Sequence, residues 1–384
     1  MPLTDQLDRL AQFEPAPYPV VSLYLNTQAN AQGRDEFQTF VRQEFKARSR
    51  TYPIGSPERE SLDKDLERIA AFLENELEPS SNGVAVFACS AGELFETVQL
   101  AAAVDQHWLY IGDAPHLYPL ARLESQFPRY AAVVADTNSA RIMVFATGEL
   151  IRQQELKGEK TRRSSQGGWS QARFQRHIGN FHQQHAKDIV EALERIVRTE
   201  GITQILTAGD EVILPLLRAE MPKHLADKVV DHLTLDSRAP LDEVLKASVE
   251  AMGRLNERTD REKVDAAVGA YRAGGLGVVG PEDTLGALVK GQVDELLLTA
   301  NVDALQNVSR QAVMAATAND STLLEPAVET AAGGEAAQAD PRVVRLADEL
   351  VTRAAQTSAK VTFVEDPALL QDYGGVAALL RFRI

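Results

Sequence analysis

The stretch YAAVVADTNSARIMVF, Tyr130 to Phe145, decides how the middle of this 384-residue chain is read. Two apolar, β-branched runs flank Thr137, Asn138 and Ser139, residues whose short polar side chains bond to nearby backbone and favour a bend, so the stretch predicts a hairpin. LIRQQEL (Leu150–Leu156) adds a third strand. Between Gln171 and residue 200 there is no proline, and Gly179 is the only glycine. Ile189, Val190, Leu193, Ile196 and Val197 recur at helical spacing, which predicts a long helix over about 170–199. ITQILTAGD then reads as a strand ending in a Gly-Asp turn, and VILPLLRAEMP begins a helix despite Pro215. Hairpin, strand, long helix, strand, helix is the order of an α/β domain.

Working outward, residues 1–125 mix both periods. PVVSLYLNT (Pro19–Thr27) alternates like a strand, Leu62, Leu66, Ile69, Leu73 and Leu77 form a helical stripe, and GVAVFAC and LFETVQL are strands separated by SAGE. After the middle domain, Pro240 to Gly274 is helical and stops at Gly274-Gly275. A third α/β unit follows in GLGVVGPEDTLGALVKGQVDELLLT, RVVRLADELVTRAAQTSAKVTFVED and GGVAALLRFRI. Within it, residues 319–341 hold five acids, no Lys or Arg and few large apolar side chains, and are expected to be a mobile acidic loop. The expected domains are 1–125, 126–262 and 263–384, in an α/β (mixed α+β) protein.

Composition sets bounds on function. At 44% hydrophobic and 25% charged the chain is globular. MPLTDQLDRL is acidic and lacks an apolar run, so no signal peptide is expected, and no segment approaches the roughly 18 apolar residues of a membrane span. Cys89 is the single cysteine and forms no intrachain disulfide, which fits a cytoplasmic protein. A net charge of −15 argues against uniform binding to nucleic acid and leaves room for one local basic patch.

That patch is residues 157–176. Lys157, Lys160, Arg162, Arg163, Arg173 and Arg176 face a single acid, Glu159, and the segment contains GGWSQARFQR, Gly167 to Arg176. Two glycines permit close backbone approach, and the local charge suits a polyanion. Other chemistries find little support. His177, His182 and His185 with Asp188 tempt a metal site, and Asp136 and Asp210 at strand ends suggest a two-metal nuclease, but no HExxH or CxxC frame supports either. Both aspartates also suit turns. Gly274, Gly275, Gly277 and Gly280 match neither nucleotide-loop pattern, there is no GxSxG, and Cys89 has no nearby histidine. Neither a metal nor a cofactor is expected.

Two stretches resemble one family. GPEDTLGALVKGQV, with Gly280, Glu282, Asp283, Thr284, Ala287, Leu288, Gly291 and Val293, and the closing GGVAALLRFRI are similar to the last domain of archaeal and eukaryotic class-1 peptide-chain release factors and Pelota. GGWSQARFQR resembles the release-factor tip GGQSALRFAR, matching at Gly167, Gly168, Ser170, Arg173, Phe174 and Arg176. The resemblance runs over about residues 126–384 and implies a bacterial-branch member of the superfamily, near the Vms1-type peptidyl-tRNA hydrolases, Pelota and the Balon-type hibernation factors. It implies a three-domain architecture with a ribonuclease-H-like middle domain carrying the GG loop and a Pelota-like C-terminal domain. It also implies a ribosome partner, with rRNA and tRNA contacted by Lys160, Arg162, Arg163, Trp169, Ser170, Arg173 and Arg176, and an elongation-type GTPase on the last domain.

Trp169 stands where the family tip carries its catalytic glutamine. Gln171 lies two residues later and Gln166 just before the glycines. An indole can stack on a base, a contact worth roughly 1–3 kcal/mol, but cannot hold water as an amide does. Three readings stand. One is A-site occupancy on idle or stalled ribosomes; another is peptidyl-tRNA hydrolysis using Gly167, Gly168 and Gln171; the third is a binding module acting off the ribosome. No NIKS-like element occurs in residues 1–125, so codon reading is not expected.

Overall fold

The computed structural model describes residues 3–14, 17–28, 37–100, 103–126, 129–146, 149–158, 171–305, 327–331 and 341–383. In chain order the first elements are α1 (Leu3–Ala11), β1 (Val20–Asn26), α2 (Phe37–Ser49), α3 (Pro57–Asn75), β2 (Gly83–Cys89), β3 (Leu94–Leu100), β4 (Trp108–Gly112) and α4 (Tyr118–Gln126). Next come β5 (Tyr130–Ala135), β6 (Ser139–Ala146), β7 (Glu149–Lys157), α5 (Gln171–Thr199), β8 (Gln204–Gly209), α6 (Ile213–Glu220), α7 (Lys223–Ala226), β9 (Val229–Leu233) and α8 (Leu241–Arg272). The last are β10 (Gly277–Val279), α9 (Pro281–Val289), β11 (Val293–Thr299), β12 (Ala327–Ala331), α10 (Pro341–Gln356), β13 (Lys360–Val364) and β14 (Val376–Leu380). The protein is mixed α/β with three sheets.

The chain divides into two compact units, residues 1–126 with 257–384, and residues 127–256. In the second, the sheet order is β7-β6-β5-β8-β9. The hairpin expected at 137–139 forms, pairing Ala135 with Ala140, and β5 runs parallel to β8. Alternation along β5 sends Ala131, Val133 and Ala135 toward α5 and α6, and Tyr130, Ala132 and Val134 toward the first half of α8. Ile189, Val190, Leu193, Ile196 and Val197 of α5 are buried on the first face, each side chain contributing roughly 1.5–3 kcal/mol by leaving water.

The other unit stacks two sheets, β12-β4-β1-β2-β3 and β10-β14-β11-β13. Val21, Leu23 and Leu25 of β1 face α2 and α3, where Leu62, Leu66, Ile69 and Phe72 are buried. α3 starts as its residues dictate: the Ser56 hydroxyl accepts from Arg59 N–H, and Pro57 takes the first turn, where no N–H is needed. The opposite face of that sheet, with Tyr24 and Phe87, shares one core with Leu346, Ala347, Leu350 and Val351 of α10 and with Leu296 and Leu298 of β11. The far face of the second sheet packs Leu297 and Ala377 on Val264, Ala267 and Val268 of α8. Gly274, at φ +68°, follows the end of α8 in a backbone region that suits glycine.

One expectation is corrected. Within residues 319–341, expected to be a loop, Ala327–Ala331 is a strand on the outer edge of β4. Low apolar content misled because an edge strand is held by main-chain hydrogen bonds, which side-chain composition does not report.

Candidate nucleic-acid interface

Lys160, Arg162, Arg163, Gly167, Gly168, Trp169 and Ser170 lie outside the described residues. Gln171, Arg173 and Arg176 are in the first two turns of α5, so the helix begins directly after the glycine-tryptophan-serine tip.

The base of that segment is well defined. Lys157 pairs with Ser139 across β6 and β7, and Gly158 N–H then donates to Asn138 O at 2.7 Å. A methyl group on Gly158 would fall 3.3 Å from Asn138 O and from the Cγ and Nδ1 of His185, so a glycine suits this close approach. His185 is 4% exposed and its Nε2 has no hydrogen-bond partner among the described residues. The last residue of β7's extension therefore sits beside the middle of α5. Gln171 is fourteen residues earlier, ~21 Å along the helix axis.

This divides α5 in two. From His185 onward it supplies the buried stripe Ala186, Ile189, Val190, Ala192, Leu193, Ile196 and Val197. Before it, Gly179, Asn180, Gln183 and Gln184 are exposed and Phe181 and His182 only half-buried. The orphan N–H groups of a helix N-terminus add a partial positive charge there, which favours anions.

The metal readings are not assembled. Asp188 Oδ1 accepts from Gln184 at 2.9 Å on the exposed side, whereas His185 is buried against Gly158. Asp136 Oδ1 accepts from the N–H groups of Asn138 and Ser139, both at 2.7 Å, and its Oδ2 accepts from the Ser237 hydroxyl at 2.9 Å. Burial pushes this carboxyl up, but those bonds outweigh it and hold it below the ordinary value. Asp210 Oδ1 accepts from Val212 and Ile213 N–H at 3.0 and 2.8 Å, and Oδ2 from Thr137 N–H at 3.3 Å. Both aspartates serve as turn and helix caps. Among the described residues no group of three His, Cys, Asp or Glu could hold a metal.

Sequence reasoning missed the partnership of Gly158 with His185. The glycine carries no motif, and the contact arises from tertiary packing of a strand end on a helix middle. It also missed the polar joint of the other unit. There Asp348 on α10 accepts from Leu117 and Tyr118 N–H at 2.9 and 3.0 Å, capping α4, and bonds to His116 Nδ1 at 2.7 Å. The Tyr24 hydroxyl donates to His116 O at 2.6 Å, and the Tyr118 hydroxyl to Thr299 O at 2.7 Å.

Residues 115–252 match the family described as Bacterial archaeo-eukaryotic release factor family 10, and residues 260–384 match eRF1 domain 3. No curated protein matches the sequence. Similar solved structures include an archaeal translation termination factor, aRF1, at 15% identity, covering 99% of this chain and 97% of that one with a TM-score of 0.26. Dom34 of S. cerevisiae, described as a termination-like factor interacting with Hbs1, is 13% identical over 79% of each chain, with a TM-score of 0.42. Archaeal Pelota, from a model of its ribosome-bound form with ABCE1, is 15% identical over 99% of this chain and 94% of that one, with a TM-score of 0.41. No helix among the described residues is long and apolar enough to cross a membrane. The two family matches, which lie in the order of the GG segment and the GPEDT motif, place the chain in the bacterial branch of the release-factor-like superfamily.

Proposed function

We infer that this protein is a ribosome-binding, release-factor-like translation factor of the cytoplasm that occupies the A site of idle or stalled ribosomes. The observation that carries this reading is that the basic GG segment directly precedes α5, whose buried stripe begins at His185 while Asn180, Gln183 and Gln184 are exposed. A cationic segment in an otherwise acidic chain suits insertion into an rRNA-lined channel, where Arg162, Arg163, Arg173 and Arg176 meet phosphates of rRNA or tRNA and Trp169 stacks on a base.

The last domain would dock an elongation-type GTPase. Tyr271, Leu276, Val289 and Phe382 are exposed at one end of it, tied together where Leu380 N–H donates to Leu276 O at 3.0 Å and Gln292 Nε2 to Phe382 O at 3.3 Å. Clustered exposed apolar side chains favour a protein partner. The test is sedimentation with 70S ribosomes over a salt series, wild type beside the variant with all four arginines changed to alanine. Salt-sensitive binding lost in the variant supports the reading; no binding at low salt, with or without a GTPase, overturns it.

A second reading, peptidyl-tRNA hydrolysis, is favoured by one observation: Gln171 is the first residue of α5 and so adjoins the tip. Release of labelled peptide that disappears in Gln171→Ala would establish it.

A further inference from the structure

We propose that the exposed face of α2 is a second RNA-binding surface, which grips the phosphate backbone of a duplex through Arg42, Lys46 and Arg50. The choice of RNA as the polyanion rests on the ribosomal reading above; the basic face itself does not.

α2 turns Phe37, Phe40 and Val41 into the core it shares with α3, and Arg48 is buried with them. Glu44, the one acid between residues 37 and 51, is half-buried and held by Arg48 at 3.5 Å. The exposed charges of this stretch are therefore Arg42, Lys46 and Arg50, all positive, in a chain with 55 Asp and Glu against 40 Lys and Arg. Gln38, Thr39 and Gln43 are exposed among them and add neutral hydrogen-bond donors of the kind that also contact phosphate. No aromatic side chain is exposed between residues 37 and 52, so the face lacks the stacking platform used for single strands and suits the backbone of a duplex. It has no large apolar side chain to bury against a protein or a lipid surface either.

Arg42 and Lys46 are four residues apart, as are Lys46 and Arg50, so successive charges lie ~6 Å apart along the helix axis and on one side of it. Like charges at this spacing destabilise a helix, and among the described residues none of the three is in a salt bridge. The helix dipole offsets that cost for Lys46 and Arg50, which sit at the C-terminal end, but not for Arg42. The neighbouring helix α3 is the control. Glu60, Lys64, Glu67 and Arg68 are exposed on it with both signs mixed, as on an ordinary solvated face. A row of cations that the fold does not neutralise, kept on an acidic body, is matched by a row of phosphates. Such contacts position a nucleic acid without reading its sequence.

The probe is a short blunt-ended RNA duplex, titrated with the full-length chain by fluorescence anisotropy over a salt series. Two proteins are compared, both carrying Arg162→Ala, Arg163→Ala, Arg173→Ala and Arg176→Ala so that the GG segment does not dominate. One keeps α2 intact, and the other adds Arg42→Gln, Lys46→Gln and Arg50→Gln. The second should bind at least ~10-fold more weakly and with a salt slope lower by about 2–3. In the same background, Arg42→Glu alone sets an acid four residues before Lys46, which supports the helix, and should still weaken binding. Equal affinity and slope in the two proteins overturns the proposal, as does no duplex binding at low salt with α2 intact. Tighter binding of poly-glutamate than of the duplex also overturns it and makes the partner an acidic protein. Sedimentation with ribosomes judges the earlier reading separately. A wild type that pellets with ribosomes while duplex binding ignores α2 keeps that reading and removes this surface; duplex binding that needs α2, in a chain that ignores ribosomes, does the reverse.

Discussion

The joint around Asp348 and the first half of α5 are both rich in polar side chains, yet they answer to different surroundings. Asp348 is 9% exposed; its Oδ1 accepts two N–H groups at the start of α4, and its Oδ2 faces a buried imidazole. The joint links segments more than two hundred residues apart within one core. In the first half of α5, Asn180, Gln183 and Gln184 are exposed, and Gln183 and Gln184 donate to Glu220 and Asp188 at the surface. Polar groups inside a fold must be satisfied by the fold, at a cost of several kcal/mol otherwise. Polar groups held outside a core contribute little to stability.

The comparison breaks most visibly at Asp348. Asp348→Ala uncaps α4 and strands His116, and should lower the free energy of unfolding by about 3–5 kcal/mol in urea titration; a loss under 1 kcal/mol would show the joint to be incidental. Leu193→Ala, in the buried half of α5, should cost about 2–4 kcal/mol by the same measurement. The four-arginine variant of the basic segment should weaken ribosome binding on the order of 100-fold and reduce the salt slope by about 4, with an unchanged melting temperature. A melting shift of several degrees would place those arginines in the fold instead.

Asp65 sharpens the contrast through pH. Burial raises its carboxyl from 3.8 to about 6, only partly offset by the Ser90 hydroxyl and N–H and by Arg68, and its Oδ2 has no hydrogen-bond partner among the described residues. The folded state therefore holds an extra proton between about pH 4 and 6, and its stability relative to the unfolded chain falls as pH rises through that window. Asp65→Asn keeps an acceptor for Ser90 and removes the buried charge. It should be stabilising by on the order of 1 kcal/mol at pH 8 and near neutral at pH 4. The smallest effect belongs to the exposed half of α5: Asn180→Ala should stay within about 0.5 kcal/mol of wild type.

Much of the middle unit was legible because its signals are local. The turn at Thr137–Ser139, the strands around it and the stripe Ile189–Val197 each declare themselves within one element, and the hairpin and helix formed where those periods place them. The GG segment was legible as charge against an acidic background. Shared helix spacing does not tell which side of a helix faces the core: His185 is buried beside Gly158, whereas Asp188 is exposed.

By itself, then, the amino-acid sequence determined the α/β class, the order of the elements and the basic GG segment, since periodicity, turn chemistry and charge act over a few residues. Tertiary structure alone decided that residues 327–331 complete a sheet built from residues 20–112. It also decided that Asp348 caps α4, and that the buried stripe of α5 begins only at His185. Each of these depends on backbone or side-chain groups far apart in the chain meeting in space, and neither hydrophobic period nor local propensity encodes such meetings.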